Sequence, residues 1–286
     1  MIRRALVFLG ALSAGLVLFG FMGAVHRSAD SIALLRPVAG VGCFLGLVAA
    51  SRIWRLAYGL IAALAVLSVA ATLVPQRPGG DIRIYSKNLW GSNTQMRAVA
   101  DDVLAAGVDV VMLQEISNRN RVILRHLQDR FPHQHLCRFS RWNGIAVLSR
   151  FPFDGAQLCS ETRAVAAARL VVGAQRVWAV SAHIPWPWPQ NTSGNERAAM
   201  AVFARLEGAV IVAGDFNIAP WSGRVTRIAL ATRTRLAGPV WPTFTFRRLP
   251  LPIDMAMAPG GGEMETRPTL GSDHAGIVAD LSLTPS

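Results

Sequence analysis

Long uncharged runs give way near residue 75 to short apolar and alternating segments separated by turn residues. Residues 5–25 carry no charge over 21 positions, and residues 56–74 carry none over 19. At ~1.5 Å of rise per residue, either run crosses a hydrocarbon core of roughly 30 Å as a helix. Residues 38–50 between them are apolar but short. Extending that segment back to residue 32 takes in Arg36 and Pro37, and an arginine near the end of a span can snorkel to the interface. The pattern predicts a membrane region over residues 1–75 with three spans, at about 5–25, 32–50 and 56–74. A cleaved leader is the plainer reading of the first run, but the run is long for one and a second full span follows.

Beyond the runs the periodicity changes. Residues 76–80 (QRPGG) read as a linker. Residues 82–85 alternate as a strand. Residues 94–106 have helical spacing, with Met96, Val99, Val103 and Leu104 on one side. Residues 108–113 form a buried strand that runs into Gln114 and Glu115. Residues 119–130 are amphipathic and predict a helix. Residues 144–149 predict a strand, and residues 165–172 and 176–183 a hairpin turning through Gly173. A helix over 196–206 precedes a buried strand over 209–213, and 253–258 and 276–283 read as late strands. This order is neither strict βαβ nor all-β. It predicts an α+β domain over residues 81–286, with two sheets and helices outside them.

Charge and cysteine sharpen the picture. Residues 1–75 hold six arginines and a single acid, Asp30; the remainder holds 23 basic and 16 acidic residues, for a net charge of +12 overall. Arg3 and Arg4 precede the first span, and Arg52 and Arg55 lie between the second and third. With three spans, both clusters belong on the cytoplasmic side. The domain over residues 81–286 then emerges on the extracytoplasmic, periplasmic side of the inner membrane. Two spans would reverse this. The basic domain suits phosphate-bearing or polyanionic partners. Cys43 falls in the middle span. Cys137 and Cys159 either pair in an oxidising compartment or remain buried thiols, and the sequence leaves both open. No cysteine cluster suggests zinc.

Polar residues recur just past the ends of the buried strands: Asn88, Glu115, His183, Asp215 with Asn217, and Asp273 with His274. A carboxylate at the end of an apolar strand is costly to bury without a metal or hydrogen bonds to compensate it. Each residue has a modest reading alone, as a turn, a cap or a satisfied histidine. Together they predict one polar site, and oxygen ligands without thiols point to a hard cation, Mg²⁺ or Mn²⁺.

The motifs NLW (88–90), LQE (113–115), GIAVLSR (144–150), AH (182–183), GDFN (214–217), ID (253–254) and SDH (272–274) resemble, in order, those of the endonuclease/exonuclease/phosphatase superfamily. The likeness is to a deoxyribonuclease- or sphingomyelinase-like, membrane-anchored bacterial type. It implies a four-layer α/β sandwich. It also implies metal ligation by Glu115 with Asn88 and Asp273, activation of water by Asp215, and phosphate binding by Asn217. His274 would act on the phosphate or as base with Asp254 behind it, and His183 would contact phosphate or protonate the leaving oxygen. No acid stands where such a His183 often has a partner. The segment 185–189 (PWPWP) is a stiff apolar rim beside His183, suited to packing or to a lipid surface.

The function this predicts is hydrolysis of a phosphate ester or phosphodiester by in-line attack of water. Its partners are the substrate (lipid, nucleic acid or small phosphoester) and the bilayer, with no obligate protein partner implied. A metal-dependent DNA nuclease and a non-catalytic membrane-bound module that kept the fold are the alternatives. The intact polar set argues against the second.

Overall fold

A computed structural model describes residues 1–76 and 79–285. Arg77 and Pro78 of the expected linker lie outside them. Helices α1 (Ile2–Gly20), α2 (Arg27–Ile32), α3 (Arg36–Ala49) and α4 (Arg52–Ala70) open the chain. A single helical turn joins α2 to α3, so three stretches, Ile2–Gly20, Arg27–Ala49 and Arg52–Ala70, are long and apolar enough to cross a membrane. Their bounds shift from the sequence expectation. The first helix stops at Gly20, and the second reaches back to Arg27.

These helices pack as membrane helices do. Small residues line the seam, so backbones come close without much side-chain area to bury. A Cβ on Gly10 would lie 2.8 Å from the Cα of Gly46, and Ala14, Ala39, Ala62 and Ala65 are buried around it. The large apolar side chains of Phe8, Val41, Leu60 and Leu67 face outward, uncovered by protein. Arg36 departs from expectation. It is buried and does not snorkel. Its guanidinium donates to the carbonyls of Gly20 (3.0 Å) and Trp221 (2.9 Å) and lies over the Phe21 ring.

The remaining elements follow in order: β1 (Ile82–Asn88), α5 (Met96–Ala105), β2 (Val110–Gln114), α6 (Ile123–His126), β3 (His133–Arg138), β4 (Gly144–Ser149), β5 (Phe153–Cys159), β6 (Val165–Val172), β7 (Gln175–His183), α7 (Ser193–Phe203), β8 (Ala209–Asp215), α8 (Gly223–Thr232), β9 (Arg235–Leu236), β10 (Phe244–Phe246), β11 (Leu249–Leu251), β12 (Asp254–Ala258), β13 (Gly262–Arg267) and β14 (Gly276–Leu281). They build two six-stranded sheets, β13-β14-β1-β2-β4-β3 and β5-β6-β7-β8-β12-β9, with β10-β11 as a separate hairpin. The expected helix over 119–130 shrinks to the single turn α6, with turns on either side. Its apolar positions Ile123, Leu127 and Phe131 are buried nonetheless, so turns satisfy the pattern that suggested a helix.

The alternation along β1 shows how the layers form. Ile82 and Ile84 face the opposing sheet with Val110 and Met112, while Tyr85 turns outward to pack with Val99 and Val103 of α5. The sheets are therefore sandwiched between helices, which makes the four-layer α/β arrangement. Each sheet contains one central parallel pair, β1 with β2 and β7 with β8. Each pair is joined by a crossover that carries a helix, as parallel strands require.

One covalent bond closes the sandwich. Cys137 on β3 and Cys159 on β5 form a disulfide, so the edge strand of one sheet is tied to the edge strand of the other. Replacing both cysteines by serine should lower the stability of this domain by about 2–4 kcal/mol, as expected for a loop of this size. The measurement is urea unfolding of the detergent-solubilised chain followed by tryptophan fluorescence. An unchanged midpoint would show that the bridge constrains nothing.

Candidate active site

Both parallel pairs end at the same side of the sandwich. Asn88 closes β1, Glu115 follows β2, His183 closes β7 and Asp215 closes β8. Strand register then sets the rest. His183, Asp215 and Asp254 are direct neighbours across β7, β8 and β12, so their side chains rise from one face in a row. His274 precedes β14, which runs antiparallel to β1, and so returns to the same end.

The approach is tight. Gly214 has φ +151, and a Cβ there would meet the Ala182 carbonyl oxygen at 1.9 Å, so no other residue fits between β7 and β8 at this level. Trp90, Glu115 and Asn217 all adopt positive φ, at 58, 54 and 49 degrees. Such conformations cost of order 1–3 kcal/mol for a residue with a Cβ and gather where a site imposes them. Below the site, Gln114 bridges the sheets, its side-chain nitrogen donating to Ser86 on β1 (3.2 Å) and to Ser181 on β7 (3.0 Å).

Asp215 is at the centre and is 1% exposed. It accepts from Asn88 Nδ2 (3.0 Å), from the backbone N–H of Asn217 (2.9 Å) and from Asn217 Nδ2 (2.9 Å). Asn88 Nδ2 also lies 3.3 Å from Glu115 Oε1, and the Gly91 N–H donates to Glu115 Oε2 (3.1 Å). One amide thus holds two carboxylates, facing them through its nitrogen, while its oxygen accepts from the Trp90 N–H. His274 Nδ1 bonds Asp254 Oδ2 (2.8 Å), and its Nε2 lies 3.8 Å from Asp215. Thr243 donates to the same Asp254 oxygen (2.6 Å), and the Phe244 ring stacks on His274 at 4.7 Å. Lys87, fully buried, donates to the His274 carbonyl (2.8 Å).

The charges follow from these contacts. Burial acts to lower the His274 imidazole, but the charge and hydrogen bond of Asp254, with Asp215 behind, raise it well above its usual range. Burial raises the Asp215 carboxyl, with His274 opposing and Asp254 adding to the rise. Burial pushes His183 down to about 3, aided by the nearby Arg163 and His274 charges. His183 is therefore neutral, and its 3.7 Å approaches to Glu115 and Asp215 are not ion pairs. Its Nδ1 has no hydrogen-bond partner among the described residues.

Seven of the eight expected residues come together. The eighth, Asp273, is exposed and bonds only Ser272 (3.5 Å), touching the others through longer-range charge alone. Among the described residues, Asp215, Asp254 and His274 form a group that could hold a metal ion, with ligand atoms within 4.8 Å of one another. Asp254 and His274 already hold each other there through Asp254 Oδ2, while Asp254 Oδ1 has no partner among the described residues; the remaining coordinating oxygens, those of Asp215 and the half-buried Glu115, accept from Asn88, Asn217 and Gly91. All are hard oxygen donors, which suits a divalent cation such as Mg²⁺ or Mn²⁺. Sequence reasoning missed Thr243, Gln114 and Ser272. A lone threonine or serine in a loop carries no pattern, although Ser272 belongs to the SDH motif and donates to the Asn88 carbonyl (2.7 Å).

Solved structures of this architecture are numerous. A family protein from Leptotrichia buccalis superposes with a TM-score of 0.57 at 16% identity, covering 70% of this chain and 99% of that one. Truncated TDP2 from Caenorhabditis elegans gives 0.54 at 18%, covering 69% and 96%. The 3'-5' exonuclease NExo from Neisseria meningitidis gives 0.54 at 16%, covering 70% and 100%. At these identities the likeness is one of fold. No curated protein sequence matches the chain significantly. The model of the Endonuclease/Exonuclease/phosphatase family matches residues 85–274, an interval that contains all eight candidate residues. With two thirds of its length matched, the chain belongs to the endonuclease/exonuclease/phosphatase family, a family of phosphoester hydrolases.

Proposed function

We propose that this hydrolase is a membrane-anchored, divalent-cation-dependent phosphoesterase that cleaves a phosphate ester or phosphodiester of a lipid or other envelope component, with its catalytic domain on the extracytoplasmic side. The observation that carries the reading is the convergence of His274–Asp254, Asp215, Asn88, Glu115 and His183 at one end of both sheets.

In this reading Glu115 is the principal cation ligand, and exposed Asp273 is free to approach the open side. Asn88 holds Glu115 and Asp215 in register. A bound divalent cation would neutralise phosphate charge as the bond to the leaving oxygen lengthens. Asp215 accepts the proton of the attacking water, its basicity raised by burial. Asn217 and the His274 imidazolium bind the phosphoryl oxygens, and Asp254 keeps that imidazole charged and oriented. Neutral His183 donates a hydrogen bond on the leaving-group side. Its lack of an acidic partner leaves it a donor more than a strong acid.

Three observations support the membrane placement. The three apolar helices carry Arg3, Arg4, Arg52 and Arg55 at one end. Residues 21–35 touch the catalytic domain, as they would if both lay on one side of the membrane. The Cys137–Cys159 bridge belongs to an oxidising compartment. Exposed Trp188, at 49%, with Trp142 and Trp241, suits an interface with lipid. A polynucleotide substrate is the second reading, favoured by the net charge of +12 and by the exonuclease named among the similar structures.

The full chain in detergent, assayed with bis-p-nitrophenyl phosphate, plasmid DNA and phospholipid micelles, should turn over with Mg²⁺ and stop in EDTA. Glu115→Gln should lower the rate at least about 100-fold while thermal unfolding is retained. Full activity in excess EDTA would sink the cation's role. His274→Ala should cost about 10²–10⁴-fold. Asp254→Asn should cost less alone and little more once His274 is gone, and losses that simply add would separate the two residues. Fused at the carboxyl terminus, alkaline phosphatase should be active and green fluorescent protein dark; the reverse pattern would place the domain in the cytoplasm.

A further inference from the structure

Residues 21–35, which lie between α1 and α3 and include the start of the second apolar stretch, are built into the catalytic domain more deeply than a tether requires. Asp30 is the only acid in the first 75 residues, and it is 0% exposed. Its Oδ1 accepts the backbone N–H of Arg224 (3.0 Å), and its Oδ2 accepts Arg227 Nη2 (2.9 Å). Gly23 forms the seat, since a Cβ there would strike Asp30 Oδ1 at 2.1 Å.

Arg224 continues the chain of contacts inward. Its buried guanidinium donates to Glu196 Oε2 (3.1 Å) and to the Pro185 carbonyl (2.7 Å). Glu196 also accepts from Arg227 Nη2 (2.7 Å) and Nε (3.1 Å). Burial alone would raise the Glu196 carboxyl, but Arg224 and Arg227 beside it hold it below its usual range. Two arginines and two carboxylates thus form a neutral set, with Asp30 and Arg224 buried and Glu196 and Arg227 partly so. Pro185 is two residues beyond His183, and Ile184 between them bonds the Asp215 carbonyl through its N–H (3.1 Å). The far end of the same loop is held by the same segment. Ser31 Oγ donates to the Trp188 carbonyl (3.4 Å), and Arg27 donates to Asn191 Oδ1.

We propose that Asp30 and Arg224 are positioning residues, through which the 21–35 segment fixes the 184–191 loop and thereby the place of His183 in the active site. The inference rests on the catalytic reading of His183 above. A flexible linker would keep the domain at the membrane. Burying Asp30 and Arg224 is costly unless they are fully paired, and this set directs one contact to the Pro185 carbonyl, two residues from His183, and another to the backbone N–H at the start of α8.

Asp30→Asn keeps the shape and the acceptor for the Arg224 N–H but leaves one guanidinium without its counter-charge. In the full chain in detergent, with bis-p-nitrophenyl phosphate, kcat should fall about 10- to 100-fold, the size expected for misplacing a catalytic group by about 1 Å. KM should stay within about threefold, and the Cys137–Cys159 bridge and thermal unfolding should be retained. Asp30→Asn with Arg227→Gln restores neutrality and should recover part of the lost kcat, which loss of a merely structural contact would not allow. Failure of the pair to recover any rate overturns the inference. Should Asp30→Asn not fold, Arg224→Lys is read in its place: it keeps the charge but cannot reach both Glu196 and Pro185, and an unchanged kcat overturns the inference. His183→Ala is measured alongside. Loss of rate there with a full rate in Asp30→Asn overturns the positioning role and leaves the proposed function standing. A full rate in both sinks the role of His183 itself, and the inference with it.

Discussion

A carboxylate that is 1% exposed must be compensated, and Asp215 is the group around which the rest is arranged. Stripping its water costs several kcal/mol unless other groups replace the lost contacts. Donors therefore arrive from every neighbouring element: Asn88 from β1, Asn217 from its own turn, and the charged imidazole of His274 from the start of β14. The left-handed turn at Asn217 and the absent side chain at Gly214 are what let those donors come near enough. The hairpin β10-β11 and Thr243 serve the same end one step out, holding Asp254 so that Asp254 can hold His274.

Much of this is visible along the chain because strand ends mark it. A run such as residues 110–113 is apolar on both faces, so Glu115 just past its end is conspicuous. The same holds for Asp215 after residues 209–213. What escaped was polar or unpatterned. Strand β3 (HQHLCR) is an edge strand whose histidines are half-buried, and no apolar alternation announces it. Helix α8 begins on glycine and carries two arginines whose partners are a helix and a loop far away in sequence. The helix expected over 119–130 failed because its apolar positions could be buried by turns just as well. Along the chain Arg36 reads as a charge snorkelling from the end of a span, and Asp30 only as the single acid of residues 1–75. Only tertiary contact shows that both face the catalytic domain, since neither has a sequence neighbour to pair with.

The two halves of the chain are packed by different physics and still meet in one structure. In the helical region small residues bring backbones together and leave large side chains facing outward, as suits a lipid solvent. In the sandwich large side chains turn inward. The join between them is polar: Trp221 donates its indole N–H to Ala33, Arg36 reaches back to Trp221, and the Asp30 set lies beside them. These polar contacts find their complements within the same chain, apart from Arg36 Nε, which has no partner among the described residues.

That join has a consequence for how the molecule is made. Asp30 leaves the ribosome 194 residues ahead of Arg224. At about 5–20 residues per second, the interval is on the order of 10–40 s. Through that interval Arg224 and Arg227, the partners of Asp30 in the folded chain, have not been made, so the join between the two halves can close only after most of the sandwich has left the ribosome.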